Sequence, residues 1–113
     1  MTIYHVTPSR NVISIVAKGV DPAMSRGKLK VSWVCEQQQL MWAIAHISAH
    51  WRVATANLTV FELEADGELI RTRWRGVYQS RTRLWALTHE SAEHYIESYE
   101  MSLLAPSSDD LPF

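Results

Sequence analysis

The sequence predicts a single α+β domain, in β-α-β-α order followed by three or four short strands. Three observations predict it: an extended apolar opening, two segments with apolar residues at helical spacing, and a late run of short alternating stretches. At 113 residues and 13.0 kDa the chain suffices for one core and not for two. Hydrophobic residues at 47% and charged residues at 20% are ordinary for a folded globular protein.

Thr2 to Val6 reads as a strand, because Ile3, Tyr4 and Val6 favour extended backbone. Ser9 is placed to cap a helix through Arg10–Lys18, with Val12, Ile15 and Val16 at helical spacing and Gly19 in the left-handed position that ends it. Pro22, Ser25 and Gly27 mark Val20–Leu29 as a loop, and Lys30–Cys35 follows as a strand with Val31, Trp33 and Cys35 on one face. Gln37–Trp51 is the strongest helix, with a stripe of Leu40, Ala43, Ile44 and Ile47. Trp42 beside that stripe is expected to fill the core.

Leu58–Ala65 alternates as a strand, and Asp66-Gly67 reads as a hairpin turn into a second strand, Glu68–Arg75. At period two, Arg71, Arg73 and Arg75 then share one strand face. Val77–Ser80 and Thr82–Leu87 are expected to be further strands, and Ser91 caps a short helix to Tyr99. The domain is expected over 1–104, with 105–113 as a Pro-, Ser- and Asp-bearing tail.

Composition excludes several function classes. The single cysteine, Cys35, cannot form an internal disulfide and is expected to be a small core residue in a reducing setting. With no leader signal and no run of about 18 apolar residues, a cytoplasmic protein without a membrane partner is expected. His46 and His50 lie four apart on a helix but lack a third ligand in that helix, so no metal is expected. The net charge of −1 hides an asymmetry: five of the eight arginines lie between Arg71 and Arg83, whereas six acids follow from Glu90 onward. Three arginines on one strand face are also a phosphate track, and Arg81 and Arg83 repeat the spacing. A solvated edge that discourages pairing is the alternative.

Four motifs follow in order over roughly residues 2–85: Tyr4-His5-Val6-Thr7, Ile15-Val16-Ala17-Lys18-Gly19-Val20, Met24-Ser25-Arg26 leading into Val31-Ser32-Trp33-Val34, and Gly76-Val77-Tyr78-Gln79-Ser80. Their order resembles the ADP-ribosyltransferase fold. The likeness is nearest to the NAD-binding lobe of RNA 2′-phosphotransferases and, more distantly, to DNA ADP-ribosylating toxins. The resemblance implies a small split β-sheet domain with two main helices and NAD, as substrate, bent in a cleft between two small sheets. His5 would hydrogen-bond a ribose hydroxyl, the Val6 backbone the nicotinamide amide, and Thr7 would be a second polar anchor. Tyr4, Ser32, Trp33, Gly76 and Val77 would line the NAD site. Arg26 would neutralise a phosphate, and Tyr78 would line the nicotinamide side, completing a catalytic set of His5, Arg26 and Tyr78. Arg71, Arg73, Arg75 and Arg81 would bind the acceptor, RNA or DNA or another phosphorylated group. Val77 stands where members that modify proteins or DNA carry a catalytic Glu. A catalytically inert nucleotide binder of the same fold, such as a phage or prokaryotic regulator or anti-defence protein, is therefore the alternative to a transferase. A protein-interaction module using its Trp-rich surface is a third class.

Overall fold

The computed structural model describes residues 1–25, 27–65 and 67–104. Arg26, Asp66 and the expected tail at 105–113 lie outside the described residues. The chain order is β1 (Thr2–Pro8), a 3-10 turn, α1 (Val12–Lys18), β2 (Ser32–Cys35), another 3-10 turn, and α2 (Leu40–Trp51). There follow β3 (Leu58–Glu64), β4 (Ile70–Arg71), β5 (Val77–Ser80), β6 (Ala86–Ser91) and α3 (Ala92–Leu104). Among the described residues the strands form one antiparallel six-stranded sheet in the order β4-β5-β2-β1-β3-β6. The domain is thus α+β, with a continuous sheet where two small sheets were expected and a third helix beside the two main ones.

Alternation sends successive side chains of each strand to opposite faces, and both faces are apolar because both are covered. On one face Tyr4, Val6, Cys35, Leu58, Val60 and Val77 pack against Leu40 and Ile44 of α2 and Ala92 of α3. On the other, Ile3, Val34, Phe61 and Leu63 meet Val12 and Ile15 of α1 together with Val20 and Leu84. Phe61, Ile3 and Leu63 are fully buried there, each a burial worth roughly 1.5–3 kcal/mol. Gly19 closes α1 at φ 76°, and an added Cβ would stand 2.8 Å from the Leu84 carbonyl oxygen. Only glycine allows Val20 and Leu84 to bridge this closely.

β1 meets its two neighbours unequally. It runs in register with β3 along its whole length, from Thr2↔Glu64 to Pro8↔Leu58. Among the described residues its register with β2 is the single pair Tyr4↔Cys35. From His5 onward no register pair with β2 is found among the described residues.

Four expectations are corrected. β3 and β4 do not pair as the expected hairpin: β5, β2 and β1 stand between them in the sheet, β4 pairing with β5 and β3 with β1 and β6. Glu68–Arg75 is not one strand, so Arg71, Arg73 and Arg75 share no strand face. β4 ends at Arg71, where the Thr72 hydroxyl donates to the Val77 carbonyl (2.8 Å) and accepts from the Trp74 amide (3.2 Å). This folds 72–76 into a turn that Gly76 completes at φ 77°. The strand expected over Thr82–Leu87 lies later, at Ala86–Ser91. Ser9 does not cap a helix; its hydroxyl bonds Thr59 Oγ1 at 2.8 Å, and α1 begins only at Val12. The Ser91 cap is present, with Oγ accepting from the Glu93 amide at 3.3 Å, and its helix continues to Leu104.

Candidate functional site

At the β1–β2 junction one side chain of the first strand reaches across to the second. His5 Nδ1 lies 2.8 Å from the Trp33 carbonyl oxygen, so a ring from β1 bridges the gap that the backbone ladder leaves. A carbonyl can only accept, so Nδ1 carries the proton. Burial outweighs that bond and holds the His5 pKa below its ordinary value, so the ring is neutral at neutral pH. Nε2 is then a hydrogen-bond acceptor, suited to a hydroxyl and not to a phosphate.

Register aligns the rest of the site with this ring. Arg71 pairs with Tyr78, Tyr78 with Val34, His5 with Phe61, and Phe61 with His89. Tyr4↔Cys35 sets His5 beside Val34 across the junction. One row on the α1 face of the sheet therefore reads Arg71, Tyr78, Val34, His5, Phe61, His89. Arg71 is exposed at one end, Tyr78 and His5 are half-buried, and the His89 ring closes the row 5.3 Å from that of Phe61. The sheet thus brings together three predicted residues from distant parts of the chain.

Glu36 is the residue that sequence reasoning missed. Its Oε2 accepts from the Tyr78 hydroxyl at 2.9 Å, and its amide donates to the Gly76 carbonyl at 2.8 Å. The carboxylate holds the Tyr78 phenol protonated, pushing its pKa above the usual value. Forty-two positions separate the pair in sequence, and only the β2–β5 register joins them. The one available signal was a lone acid directly after a strand and before a helix.

The remaining predicted residues fall into three groups. Val6 and Val77 are buried on the α2 face, at 7% and 5% exposure, so only their backbone could serve a ligand on the opposite face. Tyr4 is also on that face, its ring 6.0 Å from Tyr95, and burial raises its pKa. Thr7 and Ser32 are buried, and Thr7 is tied inward, its Oγ1 accepting from Asn11 Nδ2 at 2.9 Å. Gly76 fits a crowded turn, where a Cβ would meet Gln39 and Gln38. Arg73, Arg75 and Arg81 are exposed, away from any strand face.

Trp33 and Trp74 are 45% and 42% exposed, with ring centroids 6.1 Å apart. Trp42, expected in the core, is 43% exposed; Leu40 and Ile44 fill the inward stripe and turn it outward. Cys35 is a core residue whose thiol burial pushes up to about 12, which leaves it unreactive as a nucleophile. Among the described residues no group of three or more metal-ligating side chains converges. No helix of the described chain is long and apolar enough to cross a membrane. Comparison of the chain with protein-family models, with curated proteins and with solved structures returned no match.

Proposed function

We propose that this chain is an ADP-ribosyltransferase-like domain that binds NAD at the β1–β2 junction and passes ADP-ribose to a nucleic-acid or other phosphorylated acceptor. One observation carries the reading: neutral His5 bridges the β1–β2 junction through Nδ1, keeps Nε2 as an acceptor, and lies in one sheet row with Tyr78 and Arg71. A ribose hydroxyl donates to Nε2, and the Arg71 guanidinium answers the pyrophosphate charge. Beyond Tyr4 the edge of β1 has no register partner on β2 among the described residues, and in this reading its backbone would meet the nicotinamide amide. In the transfer, the bond between ribose C1′ and the nicotinamide nitrogen breaks and its electron pair leaves with nicotinamide, which becomes neutral. C1′ then bonds an acceptor oxygen or nitrogen, which gives up its proton. The step asks for positioning and for negative charge near the ribosyl cation. Glu36, anchored by Tyr78, is the carboxylate beside this row.

A second reading, an inert nucleotide binder that senses or sequesters, is favoured by the core position of Val77. Its strand site carries an apolar side chain packed on the α2 face, where no carboxylate reaches a bound ribose. Thermal shift with NAD and ADP-ribose tests binding, and nicotinamide release in the presence of RNA or DNA separates the two readings. Both ligands should raise the melting temperature, and His5→Ala should abolish the rise. If neither ligand shifts the wild-type protein, both readings fall. Release that Glu36→Gln cuts at least tenfold, with NAD binding kept, supports the transferase. Binding without release supports the inert form.

A further inference from the structure

On the opposite side of the sheet the described structure carries a chain of six aromatic rings. Trp33 of β2 meets Trp74 of the 72–76 turn at 6.1 Å between centroids, and Trp74 meets Trp42 of α2 at 6.3 Å. Trp42 stacks on His46 at 5.0 Å and 15°, His46 on His50 at 6.2 Å and 11°, and His50 meets Trp51 at 5.2 Å. Trp42, His46 and His50 recur every four residues, which lines them along one exposed face of α2. Soluble domains seldom leave aromatic surface contiguous in this way without a ligand for it.

The segments that carry the rings are basic, and the nearby Glu36 carboxylate is bonded to the Tyr78 hydroxyl. Residues 37–61 contain no Asp or Glu, and neither do residues 69–89. Arg73 lies over the Trp74 ring with its guanidinium carbon 4.4 Å from the centroid, and Arg75 follows in the same turn. Neither arginine has an ion-pair partner among the described residues. Between Trp42 and Trp74 there is a depression of about 260 Å³, bordered by Gln39, Arg73, Arg75 and Val77. Gln39 Nε2 donates to the Arg75 carbonyl at 2.8 Å, which fixes the turn against α2 and leaves the Gln39 side-chain oxygen as an acceptor.

We propose that this aromatic face is a binding track for single-stranded nucleic acid. A base enters the depression between Trp42 and Trp74, the adjacent phosphates meet Arg73 and Arg75, and the strand continues along His46 and His50. Stacking faces interleaved with unpaired arginines are what an unpaired strand requires, because every base has a π-face and every linkage a charge. A duplex hides those faces and has no use for the rings. An acidic peptide would satisfy the arginines but would leave the stacked rings uncovered. The proposal names the acceptor class of the transferase reading and rests on that reading only for what is transferred; strand binding stands without NAD.

The test is fluorescence anisotropy of labelled 12-nucleotide DNA and RNA strands and of a matched duplex, at several salt concentrations and without NAD. Single strands should bind, quench tryptophan emission and outcompete the duplex at least tenfold. The DNA and RNA arms decide which of the two is preferred. Trp42→Ala and Trp74→Ala should each weaken binding about tenfold, through loss of a base–aromatic stack. Trp42→Phe should retain most of it, and circular dichroism checks that each variant is folded. Arg73→Ala should lower the slope of log affinity against log salt by about 0.7. No binding of either single strand at low salt overturns the proposal, as does equal binding of duplex or affinity indifferent to both tryptophans in folded variants. A thermal shift with NAD alongside absent strand binding would sink the track and leave the NAD site standing.

Discussion

β1 has a committed edge and an open one, and the two do different work. Toward β3 every residue from Thr2 to Pro8 has a register partner, and the side chains beneath are Phe61 and Leu63, both at 0% exposure. Toward β2 the ladder is reduced to Tyr4↔Cys35, and a side chain, His5, completes the join. The closed edge holds the strand rigid. The other edge has one register pair with β2 among the described residues and is joined by an imidazole. A strand anchored along one side can present polar groups precisely on the other without the fold depending on them, so stability and binding should separate by edge.

The largest effect is expected on the closed side. Phe61→Ala should destabilise the fold by about 3–5 kcal/mol through lost burial and the cavity left behind. Chemical denaturation measures it, and a loss below about 1 kcal/mol would break the contrast between the edges. On the open side His5→Ala should cost only about 1 kcal/mol of stability, the worth of one hydrogen bond. Its binding loss should be far greater: NAD affinity down at least tenfold by titration calorimetry. A variant that unfolds as readily as Phe61→Ala would show that the junction is structural after all.

A smaller effect concerns pH. The His5 pKa is lowered in the fold from an ordinary value of 6.5, so the unfolded chain takes up the proton first. The contribution of the neutral ring is therefore fully present above 6.5 and is lost as pH falls through the lower folded value. Denaturation midpoints of wild type and His5→Gln should converge as the buffer is acidified from pH 7. Parallel curves would assign the acid sensitivity to another group.

The smallest signal is the rate at which Cys35 reacts with a thiol reagent. It is 3% exposed and sits at Tyr4↔Cys35, the single register pair of the two strands among the described residues. If the open edge is the weak one, labelling proceeds through local opening and depends little on low denaturant. NAD should slow it, whereas labelling that tracks global unfolding would make the two edges equally strong.

The sequence made some of this legible and hid the rest for physical reasons. Period two in Leu58–Glu64 and the stripe of Leu40, Ala43, Ile44 and Ile47 are local signals, and the elements stand close to where they point. The Ser91 cap is equally local. The arginine strand fails because the Thr72 hydroxyl competes with a sheet ladder for the backbone, and Trp74 is held among Trp33 and Trp42. Neither effect has a period. At the site, His5, Tyr78 and Arg71 were each picked out, but register alone puts them in one row. Glu36 was invisible because its partner lies a strand pair away. Trp42 was assigned to the core on hydrophobicity, although the inward stripe was already full.

Trp33 belongs to both surfaces of the sheet: its carbonyl receives His5, and its indole is the first ring of the aromatic chain. A single residue thus borders both the proposed nucleotide row and the proposed strand track, one through its backbone and the other through its side chain. Linkage then requires reciprocity. Whatever factor a seated strand applies to NAD affinity, NAD must apply to strand affinity.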